Sequence, residues 1–329
     1  MIYIELIGGL GNQMFIYAFA RAQQMTTGEQ IVICDFRGEE QRKIRESEYA
    51  IGPLIAENCV FHEFQSEKRG KGILENVLDP SRYILFRLSC KIWNVKNWHK
   101  ANGPRKTYEM EKVLQPLWNK LGICSVQNGY IPVARYGWPD KFVCRGYFQS
   151  AAFWGKYKEH IREELCRPDL IRQENQALLQ KIRSCESVCL HIRLGDYVRD
   201  PIIRKRHYVC DINYYRKAIK RAKEILHDPI FFVFTNENKT VQQLDLLTDE
   251  KWNLVPERNT ALEDMQLMAQ CKNHIISNSS FSWWGQFLSQ NPQKKVFAPA
   301  RWYRTDMPQD IYLKGWELIP VEPFSNCSQ

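Results

Sequence analysis

The chain opens with an apolar run at residues 3–7, a glycine turn at 8–11, and then Met14, Tyr17, Ala18 and Arg21 at helical spacing. The run predicts a buried strand, and the spacing predicts a helix from about Gln13. A second apolar run follows at 31–34. The rhythm returns in the second half, where strands are predicted over 187–192, 230–235, 274–277 and 295–298 and helices over 214–226, 241–247, 263–271 and 281–289. Alternation of this kind implies parallel sheets covered by helices, so the predicted fold class is α/β. Residues 57–139 are less periodic and richer in Lys, Trp, Asn and Gly, and read as a helical insertion with loops. The two β-loop-α openings, at Gly8 and at His191, are best explained as one from each of two nucleotide-fold halves facing a central cleft, with a boundary near 150–185.

Composition narrows the picture. With 329 residues, 44% of them hydrophobic and 12% aromatic, the chain can fill one large core or two ordinary ones, which excludes disorder as its main state. No run approaches the length of a membrane-spanning helix. The start, MIYIELIGGLGNQMF, lacks the basic opening and cleavage site of a signal peptide, so a cytoplasmic protein folding from Met1 is expected. Eleven scattered cysteines without a CxxC pair predict buried, reduced thiols rather than a zinc cage or a disulfide framework.

The net charge of +9 is uneven: residues 68–106 hold ten basic residues against Glu75 and Asp79, and 199–223 hold nine against Asp200 and Asp211. Such stretches suit phosphate-bearing ligands, anionic lipid or nucleic acid, or are simply solvated helix faces. Within the first, RYILFRLSCKIWNVKNW (82–98) fits either a helix lying on a membrane surface or one buried in the domain.

Four segments carry candidate chemistry. GGLGNQ (8–13) stands where a dinucleotide fingerprint would, but the third glycine needed at 14 is Met, which argues against a dinucleotide reductase. What remains is a tight turn at Gly9 and Gly11 that places the amides of Asn12 and Gln13 at a helix N-terminus, suited to a sugar or a phosphate. CLHIRLGDYVRD (189–200) runs off a strand whose Val188, Leu190 and Ile192 read as core, leaving His191 and Arg193 on the opposite side. There the arginine fork suits a diphosphate, Gly195 permits a turn, and Asp196 fixes the arginine or caps the next backbone. FFVFTNE (231–237) ends in Thr235, Asn236 and Glu237; a carboxylate there can take the paired N1–H and N2–H donors of guanine. HIISNSSFSWWGQFLS (274–289) puts Asn278, Ser279 and Ser280 at a helix start, an arrangement suited to an anion.

In this order the segments resemble glycosyltransferase family 11, the α-1,2-fucosyltransferases, above all the bacterial members. GGLGNQMFIYAFARA looks like the family's N-terminal segment, RGYFQS (145–150) like its GYFQ element, HIRLGDY like its HxRRGDY motif, and NSSFSWW like its C-terminal motif. The resemblance implies a GT-B-type architecture: an acceptor-side Rossmann-like domain over 1–155 with the helical insertion, a GDP-sugar-binding one over 156–300, and a tail over 301–329. It also implies inverting transfer from GDP-β-L-fucose to a galactose-containing glycan, with no cofactor and no nucleic-acid partner; the basic stretches fit peripheral contact with the inner membrane face. By motif position, Arg193 would hold the pyrophosphate, His191 would lie near the nucleotide, Glu237 would read guanine and Ser279 and Ser280 would donate to phosphate. Gly9, Gly11, Asn12 and Gln13 would approach the fucose and the acceptor hydroxyl.

Two positions depart from the family pattern. Leu194 replaces a second arginine, so the site either recruits a cation from 199–206 or lets Leu194 face the core; Asn236 stands where related enzymes often carry an acid. No Asp-x-Asp platform for a metal–diphosphate complex occurs, which points to arginine, hydroxyls and helix N-termini as the stabilising groups. For the proton acceptor, Asp196, Asp35, Glu5 and His207 all remain open, with Asp196 better suited to organising Arg193. The competing readings are a transferase of the same architecture using another nucleotide sugar, and a basic RNA-binding protein built on 68–106 with Trp93 and Trp98.

Overall fold

The computed structural model describes residues 1–35, 50–63, 72–100, 103–137, 139–244, 246 and 251–322. The chain divides into two compact units, Met1–Ile161 with Asp306–Ile311, and Arg162–Thr305 with Tyr312–Gln329.

In the first unit, strands β1 (Ile2–Ile4), β2 (Ile31–Asp35), β3 (Cys59–Glu63), β4 (Ile123–Val126) and β5 (Phe142–Gly146) form, among the described residues, a five-stranded parallel sheet in the order β3-β2-β1-β5-β4. The central strand β1 pairs with a neighbour on each side, Ile2 facing Ile31 and Phe142. Both faces of such a strand are covered, which is why Ile2–Ile4 is apolar at every position; the strand ends at Ile4, before Glu5, rather than running over the predicted 3–7. Helix α1 (Leu10–Thr27) follows; it begins at Leu10 because Gly9 is extended and caps it, and it stops at Gly28, whose left-handed φ of 73° favours a residue without Cβ.

The stretch 57–139 is not purely an insertion. It supplies the edge strands β3 and β4 as well as helices α2 (Pro80–Lys96) and α3 (Pro104–Lys120). Both helices start with proline after a non-helical residue, and the Asp79 side chain caps α2 by accepting from the Arg82 N–H at 3.1 Å.

In the second unit, β6 (Ser187–Ile192), β7 (Ile230–Thr235), β8 (Trp252–Leu254), β9 (Asn273–Ile275), β10 (Val296–Pro299) and β11 (Glu317–Ile319) form a parallel sheet in the order β11-β10-β9-β6-β7-β8. Segment 301–329 thus contributes β11, paired with β10. The helices here include Gln176–Ser184, α4 (Asp196–Arg199), α5 (Pro201–His207), α6 (Ile212–Ile225), α7 (Asn238–Gln242), α8 (Ala261–Gln270) and α9 (Ser280–Leu288). The predicted helix at 241–247 meets α7 only at 241–242, since α7 starts earlier and ends at Gln242; residues 245 and 247 lie outside the described residues.

Strand β6 is buried at every position. Val188, Leu190 and Ile192 pack with Tyr214, Ala218 and Ile219 of α6, whereas Cys189 joins Phe232, Phe234 and Leu267 in a second cluster. His191 lies on the side opposite Val188, Leu190 and Ile192, as the alternation predicts, but that side is also core, because helices cover both faces of a parallel sheet, and Arg193 lies just past the strand's end. Among the described residues the cysteines are free thiols, Cys327 lies outside them, and no helix is long and apolar enough to cross a membrane.

Candidate functional site

In an open parallel sheet a crevice forms at the carboxyl ends of the two strands where the order reverses, because the loops leaving them go to opposite faces. In the second unit these strands are β6 and β9, with β7 beside β6. Three of the four predicted segments end on this edge.

His191, the penultimate residue of β6, is 5% exposed, and its Nδ1 lies 2.8 Å from the Ser277 hydroxyl just beyond β9. Burial, with Arg193 nearby as the smaller cause, lowers its pKa to about 3, so the imidazole is neutral at physiological pH. Past the strand the chain turns at Gly195, whose φ is +61°; a Cβ there would stand 2.4 Å from the Asn236 amide nitrogen. Asn236 occupies that space because its Oδ1 accepts from the Leu194 N–H at 3.1 Å. The Leu194 side chain packs against the β6–α6 core, so the position that lacks an arginine has become apolar support for the turn.

Arg193 Nη2 donates to Asp196 Oδ1 at 2.6 Å, and the guanidinium lies over the Tyr197 ring at 5.3 Å from its centroid. The Tyr197 hydroxyl donates to the Asn278 carbonyl at 3.4 Å, and burial pushes its pKa up to about 12. The arginine is thus oriented by a carboxylate and a ring while its side chain keeps 32% of its exposure.

At the end of β7 the Glu237 N–H donates to the Thr235 hydroxyl at 3.2 Å, and the Glu237 carboxylate pairs with Arg199. At the end of β9 the two amide hydrogens of Asn278 go to the carbonyls of His207, 2.7 Å, and Trp302, 2.9 Å. Ser279 caps α9, accepting from the Phe281 N–H at 3.3 Å, and Ser280 is the first residue of that helix.

In the first unit the equivalent crevice lies between β1 and β5. Gly8 has a φ of +74°, and a Cβ on it would meet the Asn12 amide at 2.6 Å, whereas a Cβ on Gly9 would meet nothing within 4 Å. The turn therefore demands glycine at 8, one residue before the fingerprint glycines. Gly11 and Gln13 are buried in the first turns of α1, and Gln13 ties the loop by donating to the Gly8 carbonyl at 2.9 Å. Asn12 Oδ1 accepts from Gln149 Nε2 at 2.8 Å, linking the first turn of α1 to the loop that follows β5.

The structure therefore brings His191, Arg193, Gly195, Asp196, Thr235, Glu237, Asn278, Ser279 and Ser280 to one sheet edge of the second unit, and gathers Gly9, Gly11, Asn12 and Gln13 in the first. Of the open proton acceptors, Asp196 is ion-paired with Arg193, and His207 sits with its ring 5.5 Å from that of Tyr197 and its pKa depressed by burial. Glu5 follows β1, and the Asp35 side chain lies outside the described residues. Sequence reading missed Tyr197, Ser277 and Gln149. Tyr197 and Gln149 sit inside the motifs HIRLGDY and RGYFQS, which is the signal that would have found them.

The family model for glycosyl transferase family 11 matches residues 1–320. The chain is 27% identical over 310 residues to an alpha-1,2-colitosyltransferase of Escherichia coli, covering 93% of each. It is 28% identical over 327 residues to the O-antigen biosynthesis glycosyltransferase WbnK of Escherichia coli, covering 96% of this chain and 99% of that one. Among solved structures it resembles a NodZ alpha-1,6-fucosyltransferase co-crystallized with GDP, with a TM-score of 0.51 and 18% identity over 90% of this chain and 94% of that chain. That likeness carries the fold: α/β of the GT-B type, with two parallel sheets.

Proposed function

Because the chain belongs to glycosyl transferase family 11, we propose that it transfers L-fucose from GDP-β-L-fucose to the 2-hydroxyl of a galactose residue, with inversion and without a metal ion. Similarity to WbnK supports an O-antigen-type glycan as the acceptor. As the acceptor oxygen bonds to the anomeric carbon, the bond from that carbon to the diphosphate breaks through an oxocarbenium-like transition state. The electron pair leaves with GDP, and the acceptor hydroxyl gives up a proton. Charge gathering on the diphosphate is the main barrier the protein must lower.

Arg193 is assigned to the diphosphate, with Asp196 and Tyr197 as its positioning residues. Ser279, Ser280 and the N-terminus of α9 add neutral donors that need no reorganisation during the reaction. Neutral His191 holds Ser277 beside the nucleotide, Gly195 lets the backbone approach it, and Asn278 fixes the loop after β9. Glu237, on its Thr235-braced turn, is assigned to guanine, whose donors replace Arg199 on the carboxylate. Gly9, Gly11, Asn12 and Gln13 are assigned to the fucose and the acceptor.

The observation that carries the reading is the convergence, at the ends of β6, β7 and β9, of an oriented arginine fork, a strand-terminal acid and a serine-capped helix start. Arg193→Ala tests it: transfer is expected to vanish with the melting temperature unchanged, and near-normal transfer would overturn the assignment. A second reading, colitose as the transferred sugar, rests on the similarity to the colitosyltransferase. Colitose lacks the 3-hydroxyl of fucose, so competition between the two GDP-sugars separates the readings.

A further inference from the structure

Helix α2 is amphipathic in an unusual sense. Its core contact rests on Phe86 and Trp93, seven residues apart and hence on one line of the helix, and these are its buried residues. On the opposite side Ile84, Leu85, Leu88, Ile92 and Val95 fall within about 100° of arc at 100° per residue. These five range from 48% exposed at Leu88 to 64% at Val95. An ordinary surface helix turns such a stripe to the core and its polar side to water. Just beyond the helix Trp98 is 80% exposed.

Charge frames this stripe. The helix PSRYILFRLSCKIWNVK carries four basic residues and no acid. Arg82 is spent on Asp79 and Asp140. Arg87 and Lys91 flank one edge of the stripe and Lys96 the other, and no carboxylate among the described residues pairs with Lys91 or Lys96. Beside the stripe, an open groove of about 940 Å³ between α2 and α3 is lined by Ile84, Leu88 and Val95 together with Trp98.

We infer that α2 is an interfacial helix that docks this chain on an anionic lipid bilayer. The apolar stripe enters the boundary between headgroups and acyl chains, Trp98 sits at headgroup level, and Arg87, Lys91 and Lys96 face lipid phosphates. A second copy of the chain is the poorer occupant. A two-fold contact through this stripe would bring the cationic rims together, and α2 offers no acid to offset them. The inference rests on this surface alone, so it stands or falls independently of the donor sugar.

The test is sedimentation of the full chain with vesicles of phosphatidylcholine, and of phosphatidylcholine and phosphatidylglycerol in equal parts. The chain is expected to bind the mixed vesicles and to bind pure phosphatidylcholine more weakly. Leu88→Asp with Ile92→Asp is expected to cut binding by more than about tenfold with the melting temperature unchanged. Lys91→Glu with Lys96→Glu, at exposed positions, is expected to lower binding by about fivefold or more per residue and to abolish the preference for anionic lipid. This second variant carries the test if the first fails to fold. Absence of vesicle binding, wild-type binding by either variant, or a dimer that the first variant splits without any lipid effect would overturn the inference.

Discussion

Arg193, proposed to hold the diphosphate, is already oriented, since the fork is held by Asp196 at 2.6 Å and by the Tyr197 ring. Arg193→Lys keeps the charge but loses the fork, so kcat/KM is expected to fall by about 10²-fold, while alanine removes both and costs more. Gly195→Ala sets a Cβ against Asn236 at positive φ, and is expected to lower stability by about 1–3 kcal/mol in urea unfolding. An unchanged midpoint would contradict the turn geometry. Buried Glu111 of α3 offers a pH test. Desolvation raises its pKa from 4.5 to about 7, although the Gln127 N–H and the Ser125 hydroxyl both donate to it. The folded state then holds a proton that the unfolded chain has released, so stability declines as pH rises from about 4.5 to 7, by up to ~3 kcal/mol. Glu111→Gln still accepts from the Gln127 N–H through its oxygen and turns its amide N–H to the Ser125 hydroxyl, and should flatten that slope; a melting profile as steep as wild type would contradict it. The motif residues were legible because polar groups at the end of an apolar strand stand out. Ser277 beside His191 was not, because that contact depends on which strand ends become neighbours, whereas Tyr197 lies four residues from Arg193 within the same motif.

Among the elements, β6 and β7 are where the apolar runs predict them, because strands buried on both faces leave an uninterrupted signal. The edge strands β3, β8 and β11 were not legible: they are short and partly exposed, as Val60, Phe61 and Trp252 show, so their pattern resembles a loop. Helix α2 was legible in composition and open in role, since only the packing decides whether its apolar stripe faces the core. The loop after β9 is held by Asn278 through the carbonyls of His207 and Trp302. Asn278→Ala strands both carbonyls and is expected to cost about 2–3 kcal/mol of stability, read by thermal unfolding, together with weaker GDP binding. A stable variant with normal GDP affinity would show that the loop needs no such anchor.

For the molecule as a whole, the alternating rhythm was enough to expect two parallel α/β halves, and family membership makes the chain a glycosyltransferase of GT-B architecture. The proposed sugar and acceptor rest on resemblance alone, since no spacing in the chain encodes them. The assignment of Glu237 predicts that GDP protects against heat and UDP does not; at a hundredfold excess over Kd the expected gain is about 2.7 kcal/mol. Equal protection by UDP would remove guanine selection from the account. The most direct test of the central claim is to incubate the purified protein in EDTA with GDP-fucose and a β-galactoside such as lactose, following GDP release and the glycan product together. The account predicts an α-1,2-fucosylated product formed in step with GDP; neither product nor acceptor-dependent GDP release would contradict it.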